Sequence, residues 1–243
     1  MSEPAAPTPS PQPSGPQPQA PHPAAQLPAA QLPAATQPAA PRRRTQRERR
    51  EATVGKLVEA TIEAISEVGY ARASVQEICR RAGVSHGGLF RHFETRLDLV
   101  VRVSAEVGRR QLADFLARTA PFFAGGDDFL DVLRAIREAS RSPLNIVWFE
   151  LLLAARTDAE LRARLAPTIE SYSKDIYLTA LRIPAIAAQP DETRQAAVFA
   201  GLHMFDVETL VNAVYPRPDL DEGRLRLVAH FYETSVQVEG LEG

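Results

Sequence analysis

The stretch SVQEICRRAGVSHGGLFRHF, residues 74–93, holds two short helical segments on either side of a Gly-Val-Ser turn. Ser74 stands three residues before Glu77, the spacing of a capping box, which predicts a helix start just after Ser74. Ser85 is placed to cap a second helix. Between them Gly83 supplies the left-handed residue that a tight turn needs. Val75, Ile78, Cys79, Ala82, Val84, Leu89 and Phe93 then fall into one apolar seam. Helices this short are marginal in water, so longer neighbours must hold them. Gly87 and Gly88 weaken the second helix further, by about 1 kcal/mol each relative to Ala. The pattern is that of a helix-turn-helix, in which one helix crosses the DNA backbone and the next enters the major groove. Cys79 reads as a small buried hydrophobe rather than a reactive thiol.

The flanking sequence supplies the neighbours. Val54, Leu57, Val58, Thr61, Ile62, Ile65 and Val68 recur at spacings of three and four, one apolar stripe ending at Gly69. Thr95 and Asp98 repeat the capping-box spacing, as do Thr157 and Glu160, and Ser142 precedes a Pro suited to a first helical position. Asp191, and Asp219 or Asp221, can open two later helices. The periodicity predicts helices over 47–68, 75–82, 86–92, 96–118, 127–139, 143–155, 158–182, 191–213 and 221–238, and no convincing strand. The fold class is therefore all-α.

Composition divides the chain. Residues 1–41 carry 13 of the 20 prolines, no aromatic residue and one charged side chain, Glu3, which predicts a disordered Pro/Ala-rich tail. No run reaches the length of a membrane span and no secretory signal is recognisable, so a cytoplasmic protein is expected. Residues 42–110 hold 15 Arg and Lys against 9 Asp and Glu, whereas residues 111–243 hold 13 against 20. A basic first module joined to an acidic second one points to a polyanion partner for the first. The Arg-rich arm RRRTQRERR, residues 42–50, fits either a minor-groove or backbone contact or a solvated helix start.

Ser74, Ile78-Cys79, Ala82-Gly83-Val84-Ser85, His86, Gly87, Gly88, Leu89, Phe90 and Arg91-His92-Phe93, set between a long first helix and an immediate fourth one, resemble the tetracycline-repressor (TetR) family of bacterial regulators. The family carries a hydroxyl residue where this chain has Gly88, and Tyr where it has Phe90. The resemblance implies a helix-turn-helix DNA-binding domain over 51–111 and a helical effector-binding and dimerisation domain over 112–243. It implies DNA contact by Ser74, Gln76, Ser85, His86, Gly87, Gly88, Phe90, Arg91, His92 and Arg96. Ser74, His92 and Arg96 match positions that meet phosphate. Alternatives stand beside these: capping for Ser74, core packing for Phe90, capping or packing for His92, and a solvated face for Arg91. Restoring the family hydroxyl with Gly88→Thr is expected to change DNA affinity or preference without unfolding the domain.

In the second module Phe122, Phe123, Trp148, Phe149, Tyr172, Tyr177, Phe199 and Met204 are candidate lining for an apolar effector pocket; ordinary core packing is the alternative. Ala196, Ala200, Gly201, Val207 and Val211 suggest a helix-packing face, read as the homodimer interface. His203 and Asp206 share a helical face but lack a third ligand, so no metal site is assigned. No phosphate-binding loop, zinc-protease, nucleophile-elbow or dinucleotide pattern occurs, and no spacing assembles a catalytic site. The sequence thus predicts a non-enzymatic, cofactor-free homodimer that binds operator DNA and is released by a small effector. A ligand-independent regulator or activator, and a helical enzyme with an incidental helix-turn-helix, are the alternatives.

Overall fold

Ten α-helices and two short 3-10 turns make up the described residues of the computed structural model, 45–235, excluding the side chains of Glu233 and Ser235. The predicted Pro/Ala tail, the arm residues 42–44 and the end of the helix predicted over 221–238 lie outside them. The helices are α1 (Gln46–Val68), α2 (Val75–Ala82), α3 (His86–Phe90), α4 (Arg96–Thr119), α5 (Phe129–Ser140), α6 (Pro143–Thr157), α7 (Ala159–Ala180), α8 (Pro184–Ala187), α9 (Asp191–Asn212) and α10 (Asp221–Ser235). No strand occurs among the described residues.

Most starts are where the sequence places them. The Ser74 hydroxyl accepts from the Glu77 N–H, and the Thr95 hydroxyl accepts from the Asp98 N–H while Asp98 reaches back to Thr95. The Ser74 box is only half built, because Glu77 turns its carboxylate to Arg80 and Arg81. Thr45 and Glu48 form a complete box that the sequence reading did not single out, so Arg47, Arg49 and Arg50 of the arm belong to α1. Thr157 is not the cap of α7. Helix α6 runs through it, its hydroxyl donates to the Ala154 carbonyl, and Asp158 caps α7 by accepting from the Leu161 N–H. Gly83 has φ 62° and ψ 34°, the left-handed turn residue expected; Gly69 has φ 81° but ψ 160°, which turns the chain sharply out of α1. Helix α3 ends at Phe90, two residues early, because the His92 N–H bonds back to Leu89 and tightens the turn into α4.

Two apolar clusters hold the helices together. The first joins the helix-turn-helix to the second module: Leu57, Ile65, Ile78, Leu89 and Phe93 are packed in one cluster with Val147, Trp148, Leu151 and Leu165 of α6 and α7. The second gathers Phe115, Leu133, Ile136, Ile176, Phe205, Leu225 and Val228 from α4, α5, α7, α9 and α10. Helix α4 contributes to both, through Leu99 to Val107 at one end and Phe115 at the other. The position predicted to end the first domain, near residue 111, is therefore inside a continuous helix rather than at a break in packing.

Candidate DNA-binding interface

Leu89 is fully buried and Phe93 nearly so, and these two side chains fasten α3 to the core. The rest of α3 is turned outward. His86, Gly87 and Arg91 are exposed, and Phe90 is 47% exposed, with its ring edge-on to His86 at 6.1 Å between centroids. Core packing is thus not the role of Phe90. Ser85 caps α3 by accepting from the Gly88 N–H at 3.1 Å.

The two glycines differ. A Cβ on Gly87 would meet nothing within 4 Å, whereas one on Gly88 would lie 2.8 Å from Val84 Cγ1 and 3.2 Å from the capping Ser85 Oγ. This changes the expectation for Gly88→Thr. Any side chain there presses on the turn, so altered binding would not isolate the hydroxyl.

At the start of α2, Ser74 and Gln76 are exposed and share an open depression with Arg72 and Arg80, which the sequence reading did not select. Not all of this charge is free. Arg80 and Arg81 bracket Glu77 at 2.6–2.9 Å and hold its carboxyl well below the usual range, at about 2. Arg81 also pairs with Glu67 at 2.7 Å. Glu77 therefore stays ionised and neutralises part of α2, leaving His86 at the start of α3 and Arg91 just past its end as the less encumbered side chains. His92 is half-buried, with Nδ1 enclosed and without a hydrogen-bond partner.

Arg96, the expected phosphate contact, is half-buried against the loop between α1 and α2. Its guanidinium donates to the Tyr70 carbonyl at 2.7 Å and the Ala73 carbonyl at 3.0 Å, and lies 4.3 Å over the Tyr70 ring. It fastens the loop between α1 and α2 and so sets the approach of Ser74. The same loop is tied to the second module, because the Tyr70 N–H donates to Glu150 on α6 at 2.7 Å. A second tie joins Arg164 on α7 to Asp98 on α4 at 2.7 Å.

A match to the model of the bacterial regulatory proteins of the tetR family spans residues 57–103, which covers most of α1, all of α2 and α3, and the start of α4. An HTH-type transcriptional regulator of Mycobacterium tuberculosis is 40% identical over 185 residues, covering 76% of this chain and 95% of that protein. This chain belongs to the TetR family of transcriptional regulators. The HTH-type regulator CymR of Pseudomonas putida is 30% identical over 128 residues, 53% of this chain and 63% of CymR. Among solved structures, a TetR-family regulator from Rhodococcus sp. aligns with TM-score 0.59 at 20% identity over 76% of this chain and 99% of its own. The multidrug binding protein EbrR, complexed with imidazole, aligns with TM-score 0.55 at 19% identity over 73% and 93%.

In the second module of this TetR-family chain five of the eight candidate pocket residues, Phe122, Phe123, Tyr172, Tyr177 and Met204, pack against the second apolar cluster. Trp148 belongs to the first cluster, and its ring centroid lies 4.8 Å from that of Tyr172, which packs against both clusters. Phe122 and Phe123 sit on the 3-10 turn Ala120–Ala124, with Arg182 stacked 4.0 Å over Phe123. Tyr177, Phe199 and His203 form a separate row, and Phe149 is half-buried. Met204 lines a surface groove between α9 and α10. A small, partly open apolar cavity of about 20 Å³ lies within the second cluster, walled by Phe115, Leu133, Ile136, Ile176 and Phe205 among others. None of the eight lines it.

Ala196, Ala200, Val207 and Val211 are exposed along one side of α9. Gly201 is the exception, because it is buried beneath Tyr232 of α10, whose hydroxyl would lie 3.1 Å from an added Cβ. His203 is exposed, whereas Asp206 accepts a hydrogen bond from Asn145. No group of three metal-ligating side chains occurs among the described residues.

Proposed function

We propose that this TetR-family regulator is a cytoplasmic homodimeric repressor, released from a near-palindromic operator by a small effector in its second module. The observation that carries DNA recognition is the outward face of α3: His86, Gly87, Phe90 and Arg91 are exposed while Leu89 and Phe93 anchor the helix. A bare Gly87 lets the backbone approach base edges closely, and Arg91 suits guanine while Phe90 suits a thymine methyl. Ser74, Gln76 and Arg72 meet phosphates on the flank. We assign Arg96 to positioning the α1–α2 loop rather than to phosphate.

Dimerisation is supported by apolar exposure on α9 and α10. Val207, Val211 and Leu227 are 54%, 47% and 65% exposed, more apolar surface than a lone helix pair needs to leave in water. Two such faces packed across a two-fold axis would set the two α3 helices about 34–36 Å apart, one turn of DNA. An effector would favour a different spacing by binding that state better.

Selection of bound duplexes from random DNA, followed by titration of the winning sequence, tests this reading. It predicts a two-fold symmetric site and affinity that falls steeply with salt. Absence of duplex binding at low salt would overturn it. The nearly filled apolar core favours one second reading, a regulator whose second module only dimerises. Release of the selected duplex by a small ligand would exclude that.

A further inference from the structure

Among the described residues before Leu116, Phe90 is the one large apolar side chain left exposed. A single exposed ring is ordinary on a protein surface; what sets this one apart is its place. Leu89 and Phe93 already fasten α3 to the core, so Phe90 is not needed for packing. It stands instead on the outward face, next to exposed Arg91 and with Arg72, Ser74 and Gln76 exposed at the end of the neighbouring loop and the start of α2. An apolar ring inside a basic and polar rim suits a polyanion better than an apolar protein partner.

His86, Gly87 and Phe90 are spaced i, i+1 and i+4, so they share one face of the helical turn. The His86 and Phe90 rings meet edge to face, with centroids 6.1 Å apart and planes at 64°. Gly87 adds no side chain beside them, and a Cβ built on it meets nothing within 4 Å. Gly88 plays no part here, because a Cβ on it would press on Val84. The face offered outward is therefore two rings and a bare stretch of backbone.

Phe90 has no hydrogen-bonding atom, so it recognises neither donors nor acceptors. A polar base edge pressed against it would lose water and gain no partner. One group in the major groove answers an apolar contact, the C5-methyl of a pyrimidine, which thymine carries and cytosine lacks. 5-Methylcytosine places the same methyl at the same position. We infer that Phe90, with the His86 ring and bare Gly87 beside it, reads the pyrimidine C5-methyl group. The chain thus separates thymine from uracil, and 5-methylcytosine from cytosine, at one position of each half-site. This rests on the proposal that α3 reads operator bases. It goes further in naming the group read and in making operator affinity respond to cytosine methylation.

The test uses the full chain and the duplex selected from random DNA, titrated at fixed salt. Each thymine of a half-site is replaced in turn by deoxyuridine, which removes one methyl and keeps the base pair. Each cytosine is replaced in turn by 5-methylcytosine, which adds one. One position is expected to respond by about fourfold for each methyl, the worth of burying that group, weaker with deoxyuridine or tighter with 5-methylcytosine. Phe90→Ala is expected to erase the response, and Gly87→Ala to shrink it by covering the bare backbone. Helical content by circular dichroism checks both variants. No responding position, or a response that survives either substitution unchanged, would overturn the inference. If the parent chain binds its duplex while every methyl change is silent, the methyl reading falls and the regulator stands. If no duplex is bound, the regulator reading falls too.

Discussion

Glu150 accepts a hydrogen bond from the backbone N–H of Tyr70, 80 positions earlier in the chain, at 2.7 Å. The contact lets α6 hold the loop that presents Ser74, and Arg96 grips the same loop from α4 through the Tyr70 and Ala73 carbonyls. Both polar ends of the Tyr70 backbone are thus committed to side chains. Glu150→Leu is expected to leave that N–H without an acceptor and to cost on the order of 1 kcal/mol, or about 2–4 °C in Tm for a chain of this size. Operator affinity should fall with it, because the loop loses its fixed position. Glu150→Gln keeps an acceptor and should behave close to the parent. Thermal unfolding and DNA titration of the pair check this; equal losses in both variants would place the effect in charge rather than in the hydrogen bond.

Gly87 and Gly88 should separate stability from recognition. Gly87→Ala adds a methyl into open space, so it should stabilise the helix by up to about 1 kcal/mol through propensity. If the bare backbone faces DNA, the same methyl should weaken operator binding. Gly88→Ala is expected to destabilise instead, because its Cβ would press on Val84 at 2.8 Å and disturb the Ser85 cap. Melting curves set beside operator titrations distinguish the two. A Gly87→Ala chain that binds as tightly as the parent would show that closeness of approach is not why glycine stands there.

The parts of the fold legible in the sequence are those set by neighbours within a few residues. The caps at Ser74, Ser85 and Thr95, the left-handed Gly83 and the buried seam from Ile78 to Phe93 follow from i,i+3 and i,i+4 spacing alone. The grip of Arg96 on two loop carbonyls more than twenty residues away leaves no periodic trace in the sequence and was missed. Glu150 was missed for the same reason. Gly201 read correctly as a close-packing residue, but a one-dimensional pattern does not say whether the helix that approaches is the chain's own α10 or a partner's. The split of Trp148 into the first cluster and of Phe122, Phe123 and Tyr177 onto the second has a similar origin. Helical spacing fixes which side of its own helix each ring occupies, not which cluster that side joins.

Asp206 predicts a pH effect of defined sign. Its carboxyl is raised in the folded chain by burial, with hydrogen bonds from the Asn145 and Ser140 side chains and the charge of His203 opposing; its charge in turn helps raise the Tyr172 phenol. The folded state therefore holds this proton more tightly than the unfolded state does. The penalty is absent below the ordinary aspartate pKa of about 3.9 and grows as pH rises from there to the folded value. Asp206→Asn mimics the protonated form, so the variant should melt higher than the parent at neutral pH, and the gap should close in acid. A difference independent of pH would show that burial of the charge does not control stability.

The exposed faces of α9 and α10 give the remaining prediction. Val207 and Val211 are one helical turn apart on α9, and Leu227 lies on α10 beside the groove that Met204 lines. None of the three is fastened in either buried cluster, so a charged replacement should leave the fold of one chain intact. Across a two-fold axis, however, each change is made twice and places like charges close together in a desolvated contact. Val211→Glu and Leu227→Glu are each expected to shift the mass in solution from dimer to monomer at micromolar concentration without loss of helical signal. Operator binding should weaken much more than a single-site contact loss would, because a monomer reads one half-site and forfeits the effective concentration that links the two. Light scattering and DNA titration on the same samples check this. A Leu227→Glu chain that stays dimeric and binds normally would move the interface off this face.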